Sequence, residues 1–317
     1  MYLTLEQIKS VTVGAVSVWE EDKEFHFAKC TQKQIAAWYK VREDLGVRAE
    51  TTTGIRLDFY TNSKIFAFMP KEKNRYEIYI DGALSYHYFE KGYGEDLRQE
   101  IRLDGKEHRI TLYLPAHEKG VLKTVEIDDN ATFRGHTYDC KILFIGDSIT
   151  QGWDSTWDSL SFAQHVSRFF NAESVIQGIG GAVYHETTFD ETIEFEPDMV
   201  VIAYGTNDWQ FFQTIGDGKK HCVNFLDKVI NRYGDKILFG ISPLWRADSK
   251  QHMPMGTFEE CTSYVKDEIR NHHMCLIEGE NITPHVGEFY CDEVLHPNTS
   301  GFAIYALNLI KEMQKYL

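Results

Sequence analysis

The stretch KILFIGDSITQG, residues 141–152, decides the fold of the C-terminal half of the chain. It joins a compact apolar run to a short segment of glycine, aspartate and serine, which is typical of a buried strand that ends at a sheet edge. Similar apolar runs follow, with segments of helical spacing between them, at residues 173–177, 199–204, 236–241 and 274–277. Buried runs that alternate with helices predict a parallel sheet covered by helices on both faces.

The first part of the chain has a different pattern. Apolar and polar side chains alternate in four segments, at residues 55–59, 76–82, 109–114 and 121–127. This alternation places one face of a strand on a core and the other in water, which suits antiparallel sheets. We therefore predict two domains, a jelly-roll-like antiparallel β-sandwich over residues 1–138 and an α/β domain over residues 139–317.

The charge balance of the chain limits its partners. Its 317 residues include 33 Lys and Arg against 48 Asp and Glu, a formal net charge of −15 at pH 7. Such a charge repels polyanions, so we expect neither nucleic acid nor a membrane surface as a partner. No run of about 18 apolar residues and no N-terminal secretion signal are visible, so we expect a cytoplasmic protein. The six cysteines form no C-x-x-C pair and no H-E-x-x-H motif occurs, and we expect neither a metal nor an organic cofactor.

Three polar or glycine-rich segments directly follow the first three apolar runs, at residues 146–150, 178–181 and 205–208. In an open parallel sheet, functional residues collect outside the carboxyl ends of the strands, near the point where the strand order reverses. With the common strand order 2-1-3, these three segments converge. A fourth polar segment, residues 292–298, leads into the last helical stretch of the chain. We expect a functional site where the four segments meet.

Acyl transfer is the chemistry that these segments could perform. The hydroxyl of Ser148 is a weak nucleophile until a positioned base takes its proton, and His296 could be that base near neutral pH. Activity should then fall on acidification, when His296 takes up a proton. The attack leaves a negatively charged oxygen that needs preorganised donors. We predict that this oxyanion hole consists of Ser148 N–H, Gly181 N–H and the side-chain amide of Asn207.

The block FIGDSITQG, residues 144–152, resembles the nucleophile block of the SGNH (GDSL) hydrolases. Gly181 matches the second block of that family, Asn207 the third and His296-Pro297-Asn298 the last, all in the family's order. The resemblance covers residues 139–317 and implies a flavodoxin-like three-layer α/β/α fold and a serine esterase. Some members that act on carbohydrate esters carry an N-terminal β-sandwich, and the first part of this chain is similar.

The acid that orients His296 is a point at which the chain departs from the family pattern. The family usually has an aspartate three residues before the histidine, where this chain has Glu293, preceded by Asp292. Glutamate has one extra methylene and could still reach the imidazole. A local bulge could instead bring Asp292 into place, and some members use a backbone carbonyl. We favour Glu293 because of its register.

The resemblance implies a carboxylic ester hydrolase with a small substrate, and we expect acetyl esters of sugars or oligosaccharides. Asp147 and Trp209 are the candidates for substrate contacts, although buried aromatic side chains usually only fill space. Two alternatives stay open: a lysophospholipase or short-chain lipase, and a glycan-binding protein whose hydrolase site is idle. The sequence allows a homo-oligomer without predicting one.

Overall fold

The computed structural model describes residues 1–88 and 97–317. Short strands dominate the described residues of the first part of the chain, and three helices lie among them. In chain order these elements are α1 (Leu5–Val11), β1 (Thr12–Val13), β2 (Ser17–Glu21), β3 (Glu24–Ala28), α2 (Gln32–Val41), α3 (Glu43–Ala49), β4 (Arg56–Thr61), β5 (Ile65–Pro70), β6 (Tyr76–Ile80), β7 (Ala83–Tyr88), β8 (Gln99–Arg102), β9 (His108–Tyr113), β10 (Leu122–Ile127) and β11 (Arg134–Gly135).

Two antiparallel sheets form this first part, as the alternating pattern predicted. In the described residues one sheet has the strand order β1-β4-β9-β6-β7, with β11 paired to β4, and the other has the order β2-β3-β10-β5-β8. Both sheets contribute to one hydrophobic core. Phe59 of the first sheet and Phe66 of the second are fully buried there, with ring centroids 5.8 Å apart in an edge-to-face contact.

Strands and longer helices alternate in the second part of the chain. The elements are β12 (Cys140–Gly146), α4 (Ser148–Gln151), α5 (Phe162–Phe169), β13 (Ala172–Gly178), β14 (Met199–Ala203), α6 (Asp208–Phe211), α7 (Ile215–Tyr233), β15 (Ile237–Ile241), β16 (His252–Met253), β17 (Gly256–Thr257), α8 (Phe258–Asn271), β18 (Cys275–Ile277), α9 (Gly279–Ile282) and α10 (Thr299–Met313). Short 3-10 helices cover Asp158–Leu160, Glu186–Thr188 and Gly287–Phe289.

The predicted parallel sheet is confirmed, with the strand order β13-β12-β14-β15-β18. Helices α7 and α8 contribute to the core on one face of this sheet, and α5 and α10 contribute to the core on the other. At the end of the central strand β12, Gly146 pairs with Gly178 of β13 and with Ala203 of β14. The segments that follow these three strands therefore begin side by side at one edge of the sheet.

Helices α2 and α3 belong to the first part of the chain in sequence but pack in the core of the parallel sheet. Helix α2 contributes Ile35 and Trp38 to that core, and α3 contributes Leu45 and Ala49. Cys30, just before α2, belongs to the same core. The alternating strand pattern did not predict these helices, although Thr31 and Gln34 form a capping box at the start of α2 that is readable in the sequence. Among the described residues, no helix has the length and apolar composition that a bilayer crossing requires.

Candidate active site

Ser148 lies at the start of helix α4, directly beyond the central strand of the parallel sheet. The strand ends at Gly146, where an added Cβ would lie 2.0 Å from Thr150 Oγ1 and 2.8 Å from the carbonyl oxygen of Ala203. The chain can therefore turn sharply into the helix only with glycine at this position. The Asp147 carboxylate accepts a hydrogen bond from Ile149 N–H at 3.0 Å and caps the turn. Ser148 itself is 6% exposed.

His296 connects the serine to a carboxylate. Its Nε2 lies 2.9 Å from Ser148 Oγ, and its Nδ1 lies 2.9 Å from Asp292 Oδ2. Because an ionised carboxylate only accepts hydrogen bonds, Nδ1 carries a proton toward Asp292 and Nε2 can accept the serine proton. The three side chains are thus ordered for proton transfer from the hydroxyl to the imidazole.

The acid beside His296 is Asp292, which corrects the preference for Glu293. Asp292 Oδ1 accepts hydrogen bonds from the backbone N–H groups of Val294, Leu295 and His296, so residues 292–296 wrap around this carboxylate. Glu293 lies within this turn at φ +57° and is exposed. This irregular turn brings the carboxylate of Asp292, rather than that of Glu293, within hydrogen-bond distance of the His296 imidazole.

The pKa of Asp292 reflects the same turn. Burial alone would raise the pKa, but hydrogen bonds from the backbone N–H groups and from the His296 ring outweigh it and lower the pKa. Asp292 therefore stays ionised near neutral pH and can stabilise a protonated imidazole. A second carboxylate, Asp154, lies 3.7 Å from His296 Nδ1 and adds to the negative charge on this side.

The loops that carry Gly181 and Asn207 are in contact. Asn207 Nδ2 donates to the carbonyl oxygen of Ala182 at 3.0 Å, next to Gly181. Gly181 has φ +81°, a left-handed conformation that residues with a Cβ rarely adopt. A side-chain amide has two N–H groups, so the contact with Ala182 leaves Asn207 a second one to donate.

A buried lysine fixes the strand end that precedes Gly181, and the sequence patterns did not single it out. Lys29 Nζ donates to Thr51 Oγ1 at 2.7 Å, to Thr53 Oγ1 at 2.8 Å and to the carbonyl oxygen of Gly178 at 2.8 Å. Lys29 is fully buried, and this burial lowers its pKa to about 7. A lysine in the first part of the chain therefore holds the loop that carries the glycine.

Comparison with protein families identifies the chain. The model of the GDSL-like lipase/acylhydrolase family matches residues 144–304, just over half of the chain. The chain belongs to this family. The resemblance to the SGNH hydrolases is thereby confirmed, and the protein is an ester-hydrolysing enzyme. No curated protein matches the chain.

Solved structures show the fold of this acylhydrolase over nearly its whole length. The salicylyl-acyltransferase SsfX3 from a tetracycline biosynthetic pathway has a TM-score of 0.78 at 18% identity, covering 96% of this chain and 94% of that one. A family two carbohydrate esterase from Cellvibrio japonicus has a TM-score of 0.65 at 14% identity, covering 99% and 97%. The acetyl xylan esterase Est2A from Butyrivibrio proteoclasticus has a TM-score of 0.63 at 14% identity, covering 100% and 98%.

The two predicted substrate contacts of the acylhydrolase are both buried. Asp147 is 3% exposed and serves as the cap of α4, and burial raises its pKa to about 7. Trp209 has no exposed surface, donates from Nε1 to the carbonyl oxygen of Gly256 at 2.9 Å and packs edge-on against Phe258. Both side chains therefore make their contacts within the protein, and the geometry does not support the expectation that they contact substrate. Trp209 fills space in the core.

Two groups of described residues have a geometry that could hold a metal ion. His185, Glu186 and His221 form one group, and Asp154, Asp292 and His296 form the other, with ligand atoms within 4.8 Å of one another in each. The second group already connects to Ser148 through His296. In the first group, His221 Nδ1 is 2.6 Å from Glu186 Oε2, so these two side chains already pair with each other.

Proposed function

We propose that the protein is a serine esterase that hydrolyses short-chain esters, above all acetyl esters of small sugars, through an acyl-enzyme. The chain of contacts from Ser148 Oγ through the two ring nitrogens of His296 to Asp292 carries the proposal. These atoms have the order and spacing that nucleophilic catalysis by a serine requires. The expectation that Asp292 rather than Glu293 is the acid follows from the same contacts.

The first half of the proposed reaction transfers the acyl group to the enzyme. Ser148 Oγ attacks the ester carbonyl while His296 Nε2 takes its proton, and Asp292 stabilises the resulting imidazolium. Ser148 N–H, Gly181 N–H and the second N–H of Asn207 hold the negatively charged oxygen. When the carbonyl re-forms, the carbon–oxygen bond to the alcohol breaks and His296 returns the proton to the departing alcohol oxygen.

The second half releases the acid. His296 Nε2 takes a proton from a water molecule, whose oxygen attacks the acyl-enzyme carbonyl under the same three donors. The bond to Ser148 Oγ then breaks, and the serine recovers its proton from the imidazole. Neither half requires a metal ion or an organic cofactor, because the leaving groups are an alcohol and a serine hydroxyl.

The likeness to known carbohydrate esterases supports acetylated sugars as the proposed substrate class. Two of the similar structures are a family two carbohydrate esterase and an acetyl xylan esterase. We therefore expect the rate to be highest for acetyl esters and to fall steeply from acetyl to butanoyl to octanoyl esters of one alcohol. A maximum at the octanoyl ester would instead support a lipase, and hydrolysis of none of them would support the glycan-binding alternative.

Replacing the nucleophile tests the mechanism. Ser148→Ala should lower kcat/KM on a small acetyl ester by about a thousandfold or more, because the residual rate comes only from binding and the oxyanion donors. Ser10→Ala, at an exposed position on α1, is the matched control and should leave the rate unchanged. Mass spectrometry of the quenched reaction should show an acyl group on the unmodified enzyme but not on Ser148→Ala. Full activity in Ser148→Ala would rule out the assigned nucleophile.

A further inference from the structure

Two arginines lie beside the glycine that we assign to the oxyanion hole. An added Cβ at Gly181 would lie 3.0 Å from Arg42 Nη2 and 3.0 Å from Arg48 Nη1. Arg48 Nη1 also donates to the carbonyl oxygen of Gly180 at 2.6 Å, and its guanidinium lies 5.4 Å from the centre of the Trp153 ring. Both side chains come from the α2–α3 region, so the first part of the chain contributes to the surroundings of this glycine.

The two guanidinium groups already bind a carboxylate within the chain. Asp44 receives two hydrogen bonds from Arg42, one from Nε and one from Nη2 at 2.9 Å, and its Oδ2 lies 3.0 Å from Arg48 Nη1. A guanidinium has five N–H donors in a fork that matches a carboxylate. Among the described residues, hydrogen bonds use two donors of Arg42, both to Asp44, and one donor of Arg48, to Gly180, while the contact of Arg48 with Asp44 is an ion pair. The side chains are 46% exposed for Arg42 and 32% exposed for Arg48, so both are accessible to solvent.

The charged groups in contact with Gly181 differ in sign from those in contact with His296. The Gly181 side, defined by these contacts, carries the guanidinium groups of Arg42 and Arg48 together with the carboxylate of Asp44 that pairs with them. The His296 side carries the carboxylates of Asp154 and Asp292, which lie 3.7 Å and 2.9 Å from Nδ1. An anionic group on a substrate would be repelled from the second side and attracted to the first. Because the protein as a whole has a charge of −15, attraction of an anion here is a local property.

We propose that Arg42 and Arg48 form a subsite for a carboxylate carried by the ester substrate, so that the enzyme prefers anionic esters to neutral esters of the same shape. The inference rests on the proposed function, because it assigns the substrate position from Ser148 and Gly181. Charge-assisted hydrogen bonds from the free donors would hold the carboxylate and orient the scissile carbonyl toward the oxyanion donors. Asp44 occupies part of the arginine pair and competes with the substrate carboxylate.

Matched pairs of esters test the subsite. One pair is 4-acetoxybenzoate and its methyl ester, which place the charge on the alcohol side; the other is 4-nitrophenyl hydrogen glutarate and 4-nitrophenyl pentanoate, which place it on the acyl side. The unmodified enzyme should favour the anionic member of at least one pair. In that pair, Arg42→Gln with Arg48→Gln should lower the anionic-to-neutral ratio of kcat/KM by about tenfold. Asp44→Asn should raise the same ratio, because it frees guanidinium donors.

Control variants distinguish loss of the subsite from misfolding and from a general change in surface charge. Arg42→Gln alone leaves the Arg48 contact with Gly180 intact and should still lower the ratio. Arg134→Gln, which removes an exposed arginine from β11 in the first part of the chain, should leave the ratio unchanged. A ratio unaffected by the Arg42 and Arg48 variants, with the neutral esters still hydrolysed, would overturn the subsite and leave the esterase function standing. Hydrolysis of neither member of either pair by the unmodified enzyme would instead overturn the proposed function.

Discussion

Asp292 uses its two carboxylate oxygens for different tasks. Oδ1 accepts three backbone N–H groups of its own turn, and Oδ2 faces His296 Nδ1. The backbone contacts fix the carboxylate before any substrate binds, so the imidazole meets a preorganised partner. A glutamate at the next position lacks these local contacts, since Glu293 lies at φ +57° within the turn.

The two neighbouring acids provide a matched pair of variants. Asp292→Asn should lower kcat on an acetyl ester by at least about a hundredfold, because an amide can favour the wrong imidazole tautomer and does not stabilise the imidazolium. Glu293→Gln should stay within about twofold of the unmodified enzyme, since the same charge is removed from an exposed side chain. Steady-state kinetics with circular dichroism as a folding check would measure both. Equal losses in the two variants would contradict the assignment of Asp292.

The sequence alone indicated some residues of the candidate site more clearly than others, because the roles of the others depend on local backbone and side-chain geometry. Ser148 and His296 could be proposed from the sequence because each stands in a short motif whose chemistry follows from its residue types. The choice between Asp292 and Glu293 depended on backbone dihedrals in one turn, which residue spacing alone does not give. Trp209 was misjudged because proximity to Asn207 in sequence does not show that its ring points into the core.

At the scale of elements, the end of β13 is held from two sides. Lys29 binds the carbonyl oxygen of Gly178, and the Gln151 side chain accepts from Gly180 N–H at 2.7 Å while donating to the carbonyl oxygen of Ala116 at 3.1 Å. These contacts join the loop before Gly181 to helix α4 and to the first part of the chain. We infer that they position the Gly181 N–H for the oxyanion.

Lys29→Met should loosen this loop and lower kcat for an acetyl ester on the order of ten- to a hundredfold, because small displacements of oxyanion donors are costly. Burial lowers the pKa of Lys29 to about 7. The ammonium therefore loses its proton as pH rises through 7, and a neutral amine has two N–H groups for three acceptors. We expect kcat of the unmodified enzyme to decline above that pH, a decline that kcat–pH profiles of Lys29→Met should lack.

The exposed Lys33 provides the control for this experiment. Lys33→Met removes the same charge from the start of α2, where the side chain is 66% exposed and pairs with Asp190. Its kcat–pH profile should match that of the unmodified enzyme. A decline of equal size at alkaline pH in Lys29→Met would show that another group is responsible.

The sequence predicted the strands and helices of the second part of the chain, but it did not predict helices α2 and α3 of the first part. The strands β14 and β15 are apolar over their whole length and β12 is apolar from Ile142 onward, so their burial on both faces is visible in composition. Helix α2 presents only part of its surface to the parallel-sheet core, with Trp38 as its largest buried side chain. The partner of that surface lies more than a hundred residues further along the chain, and no local pattern encodes it.

At the scale of the whole molecule, we propose the domain division predicted from the sequence, with a jelly-roll-like sandwich over residues 1–138 and the catalytic part over residues 139–317. The division is crossed by buried contacts. Trp38 packs in the core of the parallel sheet, and Glu77 accepts from Ser159 N–H at 3.1 Å. These contacts lead us to expect the two parts to unfold together.

Trp38→Ala tests this expectation. Loss of the buried indole should lower the free energy of unfolding by about 3–5 kcal/mol, because it leaves a cavity in the core of the parallel sheet. In urea, the loss of esterase activity and the loss of circular dichroism should follow one shared transition. Trp19→Ala, at a partly exposed position on β2, is the control and should cost less. Two separate transitions would contradict joint unfolding, and an effect no larger than that of Trp19→Ala would contradict the role of Trp38 in the core of the parallel sheet.

Asp292 and His296 lie on one turn and are joined by two contacts, from His296 N–H to Asp292 Oδ1 and between His296 Nδ1 and Asp292 Oδ2. If warming shifts this turn away from the sheet edge, the imidazole separates from Ser148 while it keeps its carboxylate. Esterase activity would then fade at temperatures below the midpoint of thermal denaturation, and it would return on cooling without refolding. Heat tolerance of the reaction would consequently depend on how firmly residues 292–296 are anchored, more than on the stability of either core.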